Sequence, residues 1–212
     1  MKQYIAEFIG TFALVFCGTG AIVINEVTAG QVTNVGIGIT FGMIVMAMIY
    51  TFGRISGAHI NPAVTIAFAF AFKVNKRSLV GYIIAQLLGA FLASIVLAFL
   101  FPSNMNLGTT LPAGSWQQSF VLEIILTYFL MLVIIFVSQN KKTSHMTGMA
   151  VGSVVMLEAI FAGPITGASM NPARSIAPAI ISGNTTHLWL YIAAPIIGAI
   201  LAAYTWKYME ED

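Results

Sequence analysis

Charge and cysteine are what this chain has least of. Only 8% of its 212 residues are charged, while 58% are hydrophobic and the mean hydropathy is +0.91. A soluble domain usually devotes about 25% of its residues to charge. Here the supply is too small to cover a globule, so lipid must be the outer solvent. The single cysteine, Cys17, excludes an intrachain disulfide and a cysteine-based metal site, and its apolar neighbours make it a small packing residue. Nor is a cleavable leader expected. The apolar stretch after Met1-Lys2 continues to about residue 24, contains Glu7 and shows no cleavage site, so it reads as a first transmembrane helix. No nucleophile–base pair and no metal-ligand cluster is evident. Neither an enzyme nor a cofactor, metal or nucleic-acid partner is expected.

What is present is long apolar text. A helix crosses a hydrocarbon core of about 30 Å in roughly 20 residues. Six segments qualify: about 4–24, 34–52, 78–101, 116–137, 146–161 with its flanks, and 188–206. Three of them carry a single acid each, Glu7, Glu123 and Glu158. Two further apolar pieces, about 61–72 and 171–181, are too short to cross. Each follows a glycine-containing stretch and opens Asn-Pro-Ala: Asn61-Pro62-Ala63 and Asn171-Pro172-Ala173. Asn is a favoured N-cap, and Pro is tolerated in the first turn because its missing N–H would have had no intrahelical partner. Both pieces therefore read as half-helices.

Basic residues give an orientation. Lys2 precedes span one; Arg54, Lys73, Lys76 and Arg77 lie between spans two and three; Lys141 and Lys142 separate spans four and five; Lys207 ends span six. If six spans alternate, all fall on one side, which the positive-inside rule makes cytoplasmic together with both termini. The opposite loops, 25–33 and 102–115, contain no Lys or Arg. Arg174, directly after the second Asn-Pro-Ala, is the exception.

The two halves, about 1–101 and about 116–212, repeat each other within one expected domain, 1–212. Ser56-Gly-Ala-His-Ile-Asn-Pro-Ala-Val-Thr-Ile-Ala67 aligns without gaps on Thr166-Gly-Ala-Ser-Met-Asn-Pro-Ala-Arg-Ser-Ile-Ala177, and the segment from Tyr82 aligns on that from Tyr191. Glu7 and Glu123 occupy comparable places in the opening span of each half, whereas Glu158 has no counterpart. Three spans per half is an odd number, so the second half must be inverted. Inverted repeats place a site near the midplane, with broken helices pointing their N-termini at it. The expected fold is an all-α membrane protein: six transmembrane helices plus two re-entrant half-helices meeting from opposite faces.

Together, the six spans, the paired Asn-Pro-Ala half-helices, Glu7 with Glu123, and Arg174 resemble the aquaporin, or major intrinsic protein, family over essentially the whole chain. Ser175 and Ala179 match positions typical of water channels, where glycerol facilitators usually carry Asp after the Arg. The stretch 161–175 with Leu188-Trp-Leu-Tyr-Ile192 is similar to nodulin-26-like channels, and Tyr191-Ile192 departs from the aromatic pair common in strict water channels.

Specific roles follow from that resemblance and from the half-helix geometry. Asn61 and Asn171 should aim side-chain N–H groups into the pore centre, each at the positive end of a half-helix macrodipole. Water there can only accept, which would break a proton wire and repel cations. The non-helical stretches before each Asn should line the pore with carbonyls, those of Gly57, Ala58, His59, Gly167, Ala168 and Ser169. His59 itself should pack or hydrogen-bond against its turn. The resemblance implies that Glu7 and Glu123 are structural acids holding the re-entrant loops. It also implies a constriction of Phe41, Ala159, Ala168 and Arg174. Strict water channels carry His at the position of Ala159, so a wider, partly apolar filter is expected here.

The expected function is passive passage of water and small uncharged solutes, with glycerol and metalloid acids as candidates, excluding protons and ions. The alternatives are a strict water channel and an ion-coupled secondary transporter, the latter favoured only by the buried Glu7 and Glu158. Family resemblance implies a homotetramer in a lipid bilayer, and the compact loops and short termini suggest a bacterial plasma membrane.

Overall fold

The computed structural model describes residues 1–72 and 76–210. Lys73, counted above among the basic loop residues, and the last two residues of the expected 1–212 domain lie outside them. The elements in chain order are α1 (Lys2–Val27), α2 (Thr33–Ser56), α3 (Pro62–Phe72), α4 (Lys76–Leu100), α5 (Trp116–Gln139), α6 (Thr147–Thr166), α7 (Pro172–Ser182) and α8 (Leu188–Glu210). A single 3-10 turn, Ser144–Met146, leads into α6, and no strand occurs among the described residues. Six helices are long and apolar enough to cross a membrane, and α3 and α7, at 11 residues each, are not.

The expected spans form the centres of α1, α2, α4, α5, α6 and α8, with two differences. Arg54 is not in a loop but in the last turn of α2, which runs on to Ser56. The fifth span does not end near residue 161: α6 continues through Pro164 to Thr166. Both helices then stop in the same way. Gly57 and Gly167 take left-handed conformations (φ +86° and +82°), and their N–H groups bond back to the Gly53 and Gly163 carbonyls. Such a C-cap favours glycine because no Cβ opposes the positive φ.

Packing follows the repeat. α1 lies on α4 as α5 lies on α8; α1 lies on α2 as α5 lies on α6; and each half-helix rests on the other half, α3 on α8 and α7 on α4. The halves meet along α2 and α6 at two equivalent glycines. A Cβ on Gly42 would run into the Gly152 carbonyl oxygen, and one on Gly152 would lie 2.6 Å from that of Gly42. Without a hydrophobic force between helices in lipid, close backbone approach is how such helices gain packing energy. Gly89 against the Phe8 carbonyl and Gly198 against that of Ile124 repeat the device within each half.

Candidate solute pathway

The Asn-Pro-Ala half-helices start where their caps dictate. Asn171, extended at φ −148° and ψ 108°, accepts the Ala173 and Arg174 N–H groups on Oδ1 at 3.0 and 3.4 Å. Asn61 accepts that of Ala63 at 2.9 Å. With the oxygen committed to the cap, the amide nitrogen is left to face away from the helix. Each nitrogen crosses to the opposite loop: Asn61 Nδ2 donates to the Met170 carbonyl at 2.8 Å, and Asn171 Nδ2 donates to the Ile60 carbonyl at 2.9 Å. An amide carries two N–H donors, so one on each Asn has no acceptor among the described residues. Both residues line the central cavity.

The loops that feed the half-helices are left-handed at non-glycine positions, Ala58 and Ile60 in one and Ala168 and Met170 in the other, with φ between +42° and +52°. Each such residue costs about 1–3 kcal/mol and persists only where its surroundings hold it. The holders are the two buried acids. Glu7 accepts Ser56 Oγ (2.7 Å) and His59 N (2.9 Å) on Oε1, then Ile60 N (2.7 Å) and Gln86 Nε2 (2.7 Å) on Oε2. Glu123 accepts Thr166 Oγ1 (2.9 Å) and Ser169 N (2.8 Å) on one oxygen and Met170 N (2.8 Å) on the other. Successive backbone N–H groups turned to one side form a nest for an anion, and here the anion is a side chain from the opening helix of the same half.

With their N–H groups turned toward the acids, the loops leave carbonyls elsewhere. Among the described residues no protein donor reaches those of Gly57, Ala58, His59, Gly167, Ala168 or Ser169. Gly57, Ala58, His59, Ala168 and Ser169 line the central cavity, and Gly167 lines a second cavity at its mouth that shares Phe41, Ala159 and Arg174 with it. The lining also includes the aliphatic Val45, Val151 and Val155. The pathway therefore combines polar backbone with apolar side chains. His59 stacks on Phe68 at 4.8 Å with its Nδ1 3.2 Å from Thr65 Oγ1.

Phe41, Ala159, Ala168 and Arg174 all line this cavity. Arg174, 1% exposed, donates Nη1 to the Gly108 carbonyl at 2.7 Å, and its Cζ lies 5.2 Å from the Phe41 ring centre. Among the described residues its Nε and Nη2 have no protein partner. The guanidinium is thus anchored by a loop carbonyl and not by Glu158, whose own Oε2 has no partner among those residues.

The sequence profile described as Major intrinsic protein matches residues 1–206. The chain belongs to the major intrinsic protein family. Among curated relatives it is similar to Aquaporin NIP1-1 of Zea mays, 46% identical over 212 residues covering 99% of this chain and 75% of that protein. It is also similar to Nodulin-26 of Glycine max, 43% identical over 212 residues, covering 99% and 78%. Among solved structures, the aquaglyceroporin from Plasmodium falciparum superposes with a TM-score of 0.86 at 28% identity, covering 97% of this chain and 94% of that one. The protein is an integral membrane channel of this family and not an enzyme.

Some members of this site gave little signal in the sequence. Gly108, which anchors the major intrinsic protein's Arg174, sits in a loop with no counterpart in the repeat. Gln86 could have been noticed, since it is a polar residue inside a span and aligns on Pro195. Ser56 and Thr166, aligned polar residues just before each loop, were equally visible as a pair. A chain of hydroxyls, Thr110 to Ser175 at 2.8 Å and Ser175 to Ser169 at 2.6 Å, joins the loop before α5 to the second Asn-Pro-Ala segment, 65 residues away in sequence.

Proposed function

We propose that this chain passes water and small uncharged solutes, glycerol and metalloid acids such as arsenite or boric acid among them, down their gradients while excluding protons and ions. The observation that carries this reading is the reciprocal Asn61–Met170 and Asn171–Ile60 bonding, which leaves one amide N–H on each Asn for a permeant at the N-termini of two opposed half-helices. A passing oxygen accepts from both amides, so successive waters cannot keep a common hydrogen-bond direction. The two positive helix ends add an electrostatic barrier to cations.

Solute range rests on the filter reading of Phe41, Ala159, Ala168 and Arg174. Arg174 offers Nε and Nη2 to a permeating hydroxyl, Phe41 gives an apolar face beside it, and the two alanines leave room for a carbon skeleton. Glycerol alternates hydroxyls with C–H groups, which suits a lining that combines carbonyls with valines. The names of the Zea mays aquaporin and the Plasmodium falciparum aquaglyceroporin agree with such a range.

The whole chain, 1–212, acts in this proposal as one domain with one pore, assembled as a homotetramer by family resemblance. Both termini face the cytoplasm because Lys2, Arg54, Lys141, Lys142 and Lys207 gather at one end of alternating spans. The curated relatives are plant proteins and lend a bacterial membrane no support.

Purified protein in liposomes, with water, glycerol, urea and arsenite permeability measured side by side without any ion gradient, tests the reading. Water and glycerol flux with no proton leak is the expected result. Water flux alone would make it a strict water channel, and flux that requires an ion gradient would make it a coupled transporter.

A further inference from the structure

Pro164 interrupts α6 one turn beyond Ala159. A proline has no N–H, so the carbonyl four residues earlier, that of Ile160, loses its helical partner. At membrane depth such a carbonyl must be satisfied from elsewhere. Asn34, in the first turn of α2, satisfies it: Nδ2 donates to the Ile160 oxygen at 2.6 Å across 126 residues of sequence. Gly163 makes the approach possible, since a Cβ there would lie 3.0 Å from Asn34 Oδ1.

The position of this bond matters for the pore. Asn34, Gly163 and Pro164 line the outer mouth of the cavity with Phe41, Ala159 and Arg174. Ile160 follows Ala159 directly, and Asn34 lies about two turns before Phe41 on the same helix. One turn of α6 is therefore tied to α2 at the mouth, while the Gly42–Gly152 contact fixes the same two helices deeper in. The repeat breaks here. Pro164 aligns on Arg54 and Asn34 on Ser144, so the symmetry-related place in the repeat has neither the proline nor the amide.

We propose that Asn34 is a positioning residue that sets the separation of Phe41 and Ala159, and with it solute selectivity, by replacing the hydrogen bond that Pro164 removes from α6. This rests on the filter reading of Phe41 and Ala159. Neither Asn34 nor Pro164 needs to touch the permeant.

The test is a double-mutant cycle, because Pro164→Ala returns an N–H to the helix and makes Asn34 dispensable for Ile160. Wild type, N34A, P164A and N34A/P164A are each reconstituted for water and glycerol permeability and melted in detergent. N34A is expected to lower the melting temperature and to change the glycerol-to-water ratio about twofold or more, and both effects should shrink to less than half in the P164A background. Equal effects in both backgrounds would overturn the proposal. A rescued melting loss with no change in ratio would overturn the aperture role, while Ala159 substitutions judge the filter reading separately. Should N34A yield no folded protein, recovery in the double variant supports the bond, and failure in both backgrounds overturns it.

Discussion

Asn61 and Asn171 never bond to each other; each is tied to the residue preceding the other, Asn61 to the Met170 carbonyl and Asn171 to that of Ile60. The two half-helices are thereby locked in register across the midplane by a pair of bonds 2.8 and 2.9 Å long. Because each cap oxygen is already spent on its own helix, the nitrogen's direction is fixed.

Asn171→Asp separates the two halves of that residue's chemistry. A carboxylate still caps α7, and the helix end favours its charge. It cannot donate to the Ile60 carbonyl, and it places negative charge where a cation would pass. Folded protein with reduced water flux and a measurable cation conductance in planar bilayers is the expected outcome. A variant that stays electrically silent would count against the amide as part of the cation barrier.

The two buried acids should respond alike to amide substitution. On Oε1 of Glu7 the Ser56 hydroxyl can turn to accept from an amide, so Glu7→Gln sets its NH₂ against the His59 N–H alone. At Glu123 one oxygen carries only the Met170 N–H, and the amide can turn its nitrogen there. With an orphaned buried donor costing about 1–3 kcal/mol, each variant should lose roughly one such increment. Thermal unfolding of both variants in the same detergent checks that the losses match.

Glycine has different meanings at two places on α2. Gly42→Ala pushes a methyl into the Gly152 carbonyl of α6 and should destabilise by about 1–3 kcal/mol through overpacking. Gly53 has nothing within 4 Å of an added Cβ and no positive φ. Gly53→Ala should therefore be neutral or stabilising by up to about 1 kcal/mol. Melting temperatures that fall equally for both would refute the crossing contact.

Ala159→His narrows the outer constriction and adds a donor opposite Arg174. Glycerol permeability should fall by at least about tenfold while water permeability falls far less, since a single-file water needs the smaller aperture. Stopped-flow measurements on the same liposome preparation give both numbers, and equal losses would remove Ala159 from the lining.

The membrane class, six spans, inverted repeat and half-helix starts were legible in the sequence because each depends on local text: hydropathy over about 20 residues, an Asn-Pro pair at a helix start, an alignable repeat. Phe41, Ala159, Ala168 and Arg174 could be named only through family resemblance, since nothing in their own neighbourhoods distinguishes them. The extension of α6 through Pro164 was not legible. A proline ends a helix unless a distant donor replaces the lost bond, and that donor, Asn34, lies in another helix. Gly108 was invisible for the same reason: a backbone carbonyl has no sequence signature, and only the fold brings it to Arg174. The sequence by itself determined where backbone could leave the helix inside the membrane, because Gly, Asn and Pro act through local geometry. Only the tertiary structure decided which carboxylate, amide and carbonyl would satisfy that freed backbone, because in lipid every partner must come from the protein itself.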